Sequence, residues 1–569
     1  MEFSETQFRW ATVFAVALIG FVAYSGSLSG EFVWDDASSV LLHENVKDPS
    51  KLFQLFREDQ HAFGRGQGNF YRPLLSVSFM VDYMIAHTPA DPVLPPSIRP
   101  PSLSSFPFHV TSTLWHIAAA LFLFALMTRL GATSTVRAIA VAAYLLHPLH
   151  TEAVAYISGR ADSMAAAFLF AGLALSLDDP RSRRRGWRIL LASCYFVFGL
   201  LSKESALIYP ALLFVCICLT ARDQGEGAAS FSARLLPFYF SLPIAAVYVG
   251  LRATVLNFAP DSSSVQSSFG ERIVESGQAF ALYVGLIFAP LNLHMERTLA
   301  GATSLTAALG FLFVLAALAL LVYAHKRCKP GVALGLGWFL VTWLPISGLF
   351  PLNAPMAEHW MYVPLAGFLW ALASLMFDPA LPGPLRKVFV AAAAIWCVWL
   401  LSLTAARNAD WRDNESIYTA TLRENPGSLR VHHNLAVTYH DILDNPIGAQ
   451  REYRRLLSIY ESALEADPVG AASLEASAIE SKLLLAQLYV GSEDLPEASG
   501  LFAQVIQQSQ TENRKRYLVE ALFGLGRVRM AMGDEAGAVQ QFSALLDIEP
   551  ELLGAILRMR VEGPGVGEL

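Results

Sequence analysis

Twelve apolar runs, each long enough to be a helix in its own right, set what this chain can fold into. They fall near residues 10–28, 110–128, 138–149, 163–177, 187–201, 205–221, 235–251, 273–291, 302–324, 331–350, 360–377 and 388–405. A helix needs about 20 predominantly apolar residues to cross a bilayer. In lipid each backbone polar group must be satisfied within its own segment, so spans of this kind are helices. The runs therefore predict an all-α, polytopic membrane protein. Only 16% of the 569 residues are charged and 54% are hydrophobic, where a soluble chain carries about a quarter charged. The net charge of -7 argues against nucleic acid as a partner. The five cysteines (Cys194, Cys216, Cys218, Cys328, Cys397) all lie in apolar segments or their short basic loops. They offer no disulfide framework or zinc spacing to the polar regions. The first run is too long for the apolar core of a cleaved leader and lacks a small-residue cleavage site, so it reads as an uncleaved anchor.

Lys and Arg in short loops mark the cytoplasmic side. Three loops qualify: Arg181 with Arg183, Arg184, Arg185 and Arg188; Lys326 with Arg327 and Lys329; and Arg386 with Lys387. They cannot share a side if all the runs cross. The weakest is 273–291, which follows the polar stretch from Asp261 and opens with Glu271, Arg272 and Glu275. Read as an external surface-lying or re-entrant segment, it leaves about 11 transmembrane helices, with the N-terminus cytoplasmic and the C-terminus outside. Every polar tip then falls on the outer face, beginning with the long first loop, 29–107. A transporter would place such groups near mid-span. Clustered at one interface, they suit an enzyme acting outside on something embedded in the membrane.

Within the first loop, Asn45 to Phe56 is expected as a short amphipathic helix. Residues 64–68 are expected as a flexible turn, and Pro89 to Pro107 as an extended connector. From about Ala409 the charge rises and helical periodicity appears on an Ala-rich background. Ala486, Ala498 and Phe502 recur in phase as Gly526, Ala538 and Phe542. Small residues let paired helices approach and aromatics fill between them, the pattern of tetratricopeptide helical repeats. Two domains follow: a transmembrane domain, 1–408, and a repeat domain, 409–569, placed outside the cytoplasm.

An outward carboxylate pair, several cations and a lipid-facing wall suit glycosyl transfer from a polyprenyl-phosphate sugar. The leaving group is a phosphate, which needs cations, and one carboxylate can take the acceptor proton. Asp35 or Asp36 fits the catalytic base. Arg72, Arg160 and Lys203 are candidate phosphate partners. Each has a structural alternative: an interfacial Arg72, an Arg160–Asp162 pair, a plain Lys203–Glu204 ion pair. His147, His150 and Glu152 approach metal spacing but lack a matching carboxylate cluster, so they read, with Asp162 and Glu204, as substrate-positioning groups and no metal site is assigned. Glu358 and Tyr362 could position substrate or belong to an interfacial belt.

These residues carry a resemblance. Phe32-x-Trp34-Asp35-Asp36, Tyr71-Arg72-Pro73-Leu74, Phe108-His109 with His116, the block from His147 through Arg160 to Asp162, Lys203-Glu204, and Glu358 with Tyr362 occur in this order before the repeats. In this the chain resembles the transmembrane and tetratricopeptide repeat-containing proteins and their bacterial relatives. Those are GT-C glycosyltransferases related to protein O-mannosyltransferases. The resemblance implies eleven crossings, a lipid-phosphate mannose donor, a Ser/Thr acceptor on a protein outside the cytoplasm, and a catalytic acid in the first outer loop, which falls on Asp35 or Asp36. Analogy favours the first acid. Distance from the helix end favours Asp36 as the better placed to reach a solvated acceptor. Where the family often has Glu-Arg this chain has Glu358-His359, and Arg297 is the nearby cation. The resemblance implies no tightly bound cofactor and leaves a divalent metal open. The membrane is expected to be a bacterial inner membrane with periplasmic repeats, or that of the endoplasmic reticulum with luminal repeats. The rival functions are a non-catalytic membrane scaffold for envelope assembly and a flippase for lipid-linked glycans.

Overall fold

The structure is a computed structural model that describes residues 5–63, 69–86, 103–177, 182–221, 228–258, 268–511 and 514–552. The expected turn at 64–68, most of the proline-rich connector, Arg181 and the polar stretch 261–267 lie outside the described residues. The described chain is helical throughout and divides into two compact units, Met1–Ile417 and Tyr418–Leu569.

In the first unit, six helices among the described residues are long and apolar enough to cross a membrane. They include α1 (Glu5–Ala23), α2 (Phe106–Arg129), and later the long Ser304–Lys326 and Gly383–Asp410. A seventh candidate is the bent pair of α3 (Ser134–Leu146) with Pro148–Ala155, which turns by 53° at His147-Pro148. Proline removes a backbone donor and disfavours helix in the residue before it, which accounts for the break. The expected count of eleven is not reached by length and composition. Several apolar runs form shorter helices buried among their neighbours. One is α4 (Arg160–Ser176), with Ala161, Ala165, Ala166, Ala167 and Ala171 all buried. Side chains this small let helices close to backbone contact. The same device joins α5 (Pro330–Trp343) to α6 (Tyr362–Met376). A Cβ on Gly335 would lie 2.4 Å from the Ala371 nitrogen, and one on Gly367 would lie 2.5 Å from the Trp338 ring.

One expectation for local structure holds in part and one changes. The weak run 273–291 is one continuous helix, Phe269–Phe288, packed on Ser304–Lys326 through Gly277 and Gly310, and it is not among the six candidate spans. Its Glu271, Arg272 and Glu275 all fall in the first two turns, which is why apolarity alone marks it down. The amphipathic helix expected over Asn45–Phe56 is instead three short turns, Glu44–Lys47, Pro49–Lys51 and Gln54–Phe56. Pro49 cannot continue a helix, and the Asp48 carboxylate accepts the Ser50 N–H at 2.9 Å to start the next turn. Leu55 is buried and Phe53 is exposed.

The second unit contains three successive helix pairs: Leu429–Val437 with Pro446–Ala466, Glu475–Gly491 with Leu495–Gln508, and Lys515–Ala531 with Glu535–Ile548. The phased small and aromatic residues meet in space. Gly526 leaves room for the Phe542 ring, while Ala486, Ala498 and Phe502 are buried together.

Adding one methyl at Gly335 forces the α5–α6 contact apart, at about 1–3 kcal/mol. Thermal melting of detergent-solubilised protein is expected to show a lowered Tm for Gly335→Ala. Gly250→Ala, at a helical glycine whose Cβ would meet nothing within 4 Å, is expected to leave Tm unchanged or raise it, since alanine is the better helix former.

Candidate functional site

The chain leaves α1 through the turn Val33-Trp34-Asp35-Asp36, and the two acids have opposite environments. The Asp36 side chain is fully buried. Its Oδ2 accepts the Val33 N–H at 3.0 Å, and its Oδ1 accepts the Ser158 N–H at 2.8 Å and the Ser158 hydroxyl at 2.6 Å. Burial pushes its carboxyl up to about 7, against these hydrogen bonds, which pull it down. Asp36, expected to be the better placed to reach a solvated acceptor, is instead the acid shut away from solvent. Asp35 is partly exposed, and its carboxylate has no hydrogen-bond partner among the described residues.

Trp34, just before them, has φ 50°, in the left-handed region, which costs a non-glycine residue roughly 1–2 kcal/mol. Three contacts hold it there. Its N–H donates to Asn414 Oδ1 at 2.8 Å, its carbonyl accepts the Ala37 N–H at 3.3 Å, and its ring stacks on Tyr156 at 5.6 Å. Tyr156 stacks in turn on Trp411 at 5.3 Å. His61 lies within electrostatic reach of Asp35 and faces the hydroxyls of Ser38 (2.7 Å) and Ser39 (3.2 Å) through Nδ1. Burial lowers its basicity, although Asp35 and Asp59 act the other way.

Four of the expected residues form two adjacent ion pairs. Arg72 stands just before the helix Pro73–Ala86, and grips Glu204 with Nε at 3.0 Å and Nη2 at 2.6 Å. The ring of Phe70 lies 4.7 Å under its guanidinium. Lys203 follows the helix Arg185–Ser202 and places its ammonium 2.8 and 2.7 Å from the two oxygens of Asp162. Arg72 also feels Asp162, and Glu204 also feels Lys203. Arg160 does not join them. Its guanidinium is 0% exposed and spent on Ser112 Oγ (3.0 Å), Ser78 Oγ (3.0 Å), the Phe108 carbonyl (2.6 Å) and the Asp82 carboxylate (2.5 Å). It ties α2 and the helix Pro73–Ala86 to α4. Nothing of it is left to meet a ligand, and the Arg160–Asp162 pairing considered from sequence is replaced by Arg160–Asp82.

A second charge cluster gathers Glu152, Glu358 and His359. His359 donates from Nδ1 to Glu152 at 2.7 Å. The Glu358 carboxylate accepts the His294 N–H at 2.6 Å and Arg297 Nε at 3.1 Å, and lies 3.5 Å from Arg407 Nη2. Arg297 thus supplies the cation beside Glu358 where the chain has histidine next to it. Arg407 also lies 5.8 Å from the Trp411 ring. The stack Trp34–Tyr156–Trp411 therefore runs from the acid turn to this cluster.

The histidines expected to position substrate point elsewhere. His147 donates from Nε2 to the Ile287 carbonyl at 2.9 Å and accepts the Leu149 N–H on Nδ1 at 3.3 Å. His150 donates from Nδ1 to the Tyr144 carbonyl at 2.8 Å. The Tyr362 hydroxyl donates to His116 Nδ1 at 2.6 Å, and both side chains are buried. These groups pack in a closed aromatic cluster, with the His150 and Tyr362 rings 4.4 Å apart. No group of three or more metal-ligating side chains gathers among the described residues. Sequence reading missed His61, Tyr156 and Arg407. Tyr156 lies inside the block from His147 to Asp162 at a position the motif leaves open, His61 and Arg407 lie outside the motifs, and each acquires its neighbours through tertiary packing.

No family model matches the chain. It is similar to a "Protein O-mannosyl-transferase" of Caenorhabditis elegans, 24% identical over 436 residues that cover 74% of this chain and 59% of the relative. It is also similar to "Protein O-mannosyl-transferase TMTC4" of Mus musculus, 22% identical over 505 residues that cover 78% and 66%. A shorter match, 30% identical over 207 residues and 35% of this chain, is to "Protein O-mannosyl-transferase Tmtc2" of Drosophila melanogaster. The likeness is one of distant homology, and the chain spans about two thirds or less of the length of these relatives.

Asp36→Asn is expected to destabilise the turn by about 1–3 kcal/mol. An amide cannot accept from both Val33 and Ser158, and one N–H is left facing another. The same substitution removes a titration. A carboxyl near 7 when folded and 3.8 otherwise contributes stability that is fully present below about pH 4 and lost as the pH rises through about 7. Melting curves across that range are expected to slope less for the variant than for the wild type.

Proposed function

We propose that the chain is an integral-membrane glycosyltransferase of the GT-C type. It moves a sugar, mannose by analogy, from a polyprenyl phosphate to a Ser or Thr hydroxyl of a protein outside the cytoplasm. The observation that carries this reading is a partly exposed carboxylate without a hydrogen-bond partner among the described residues, Asp35, that shares the neighbour His61 with Arg72, one of two cations, with Lys203, held by neighbouring carboxylates. Distant homology to protein O-mannosyl-transferases supports it.

The chemistry follows from charge. Asp35 takes the proton of the acceptor hydroxyl as its oxygen bonds to the anomeric carbon. The bond from that carbon to the phosphate oxygen breaks, and its electron pair leaves with the polyprenyl phosphate. Arg72, with Nη1 only 3.4 Å from Gln60, and Lys203, with one N–H beyond the two given to Asp162, meet the charge building on the phosphate. Asp162 and Glu204 keep these cations in place. Asp36 holds the turn that presents Asp35 and is not itself the base. Arg160 is reassigned from the phosphate to the framework. Glu152 and Glu358 fix the other wall of the site together with Arg297 and Arg407.

Around this centre we place eleven crossings, the shorter buried helices being counted with the six or seven candidate spans. The helix pairs from Tyr418 onward are read as a tetratricopeptide domain that offers the acceptor protein a concave face. The membrane is a bacterial inner membrane with the repeats in the periplasm, or that of the endoplasmic reticulum with luminal repeats. One observation favours the scaffold reading instead: a cation expected at the donor phosphate, Arg160, is closed inside the protein.

Transfer from radiolabelled polyprenyl-phosphate mannose by membranes holding the protein separates the two readings. Asp35→Asn is expected to lower transfer about 10²–10⁴-fold, the range for losing a general base, with the protein present at wild-type level. Equal transfer by wild type and variant, or none by either, sinks the catalytic reading.

A further inference from the structure

Beside the Arg72–Glu204 pair runs the helix Leu236–Ala253, which packs on the helices leading into and out of Lys203-Glu204. One face of it closes over the segment that carries Arg72. Arg252 donates from Nη2 to the Asn69 carbonyl at 2.7 Å. Just past the helix, Phe258 N–H meets Asn69 Oδ1 at 3.3 Å, and the Asn69 amide donates to Asn257 Oδ1 at 2.8 Å. The Phe258 ring lies 6.4 Å from that of Tyr71. Tyr248 is one helical turn before Arg252 and so shares its face.

Tyr248 is 8% exposed, and its hydroxyl has no hydrogen-bond partner among the described residues. Its charged neighbours are Glu204, Arg252 and Arg72, with Tyr71 beside them. None accepts its proton. Both Glu204 oxygens already accept from Arg72. A buried phenol left unpaired is uncommon in a folded protein, and this one faces a site whose charges nearly cancel, Arg72 and Lys203 against Glu204 and Asp162. An incoming phosphate gains little from net charge there. It is held by hydrogen-bond donors, and a neutral donor with nothing else to bind is worth more than its lack of charge implies.

We infer that Tyr248 is a positioning residue for the sugar donor, its hydroxyl donating to an oxygen of the lipid-linked phosphate beside Arg72. This rests on reading Arg72 and Lys203 as the donor-phosphate site.

The test uses the full chain in nanodiscs, with polyprenyl-phosphate mannose as donor and Tyr248→Phe and Arg72→Ala compared with wild type. Tyr248→Phe is expected to raise KM for the donor about tenfold, the effect of one hydrogen bond to a charged group. It should leave kcat within about threefold, the acceptor KM unchanged and Tm no lower. Inhibition by free polyprenyl phosphate should weaken by the same factor. If Arg72→Ala abolishes transfer but Tyr248→Phe leaves the donor KM unchanged, the role of Tyr248 is overturned while the phosphate site stands. If Tyr248→Phe lowers Tm and shifts donor and acceptor constants alike, its role is structural and the inference fails. If Arg72→Ala transfers normally, the phosphate site itself is wrong and the inference falls with it.

Discussion

Three hydrogen bonds to one buried carboxylate order the turn that holds Asp35 and Asp36. Asp36 joins its own turn, through Val33, to the corner before α4, through Ser158, which is 122 residues away in the chain. Buried polar groups are stable only when satisfied, and once satisfied they specify a single arrangement. Here the arrangement determines the fate of the neighbouring residues. Trp34 is turned into the left-handed region and onto Tyr156, and Asp35 is turned outward.

Around that junction the charges are compensated almost one for one. Arg160 is matched by Asp82, Arg72 by Glu204, Lys203 by Asp162, and Arg297 and Arg407 share Glu358. Near a membrane an unpaired charge is expensive, and here each of these cations is held against a carboxylate. The degree of closure differs from pair to pair. Arg160–Asp82 is sealed, with side chains 0% and 2% exposed, whereas Glu204 in the Arg72 pair is 46% exposed.

Much of the plan was legible in the chain. Apolar runs placed most of the helices, because lipid demands the same thing of each. The phased Ala, Gly and Phe of the C-terminal third met as helix pairs. Polar tips at Asp35-Asp36, Arg72, Lys203-Glu204 and Glu358 were marked out by their place at helix ends. Burial was not legible. Whether Asp36 or Asp35 faces solvent depends on Ser158, and whether Arg160 is free depends on Asp82, Ser112 and Ser78, none of them a local neighbour. His147 and His150 read as substrate-positioning groups, yet their N–H groups donate to the carbonyls of Ile287 and Tyr144. The break at Pro49 was written in the sequence and outweighed by the apolar residues around it. Tyr156, Arg407 and Tyr248 matter only for what folds against them.

The stack of Trp34, Tyr156 and Trp411 gives this end of the molecule an optical signature. Two indoles sandwich a phenol at 5.6 and 5.3 Å, each ring pair inclined by 21°. At such spacing Tyr156 passes its excitation to the indoles, and the rings share a near-ultraviolet dichroism that depends on their mutual angle. The turn holding Asp35 therefore carries a chromophore that reports its geometry without an added label.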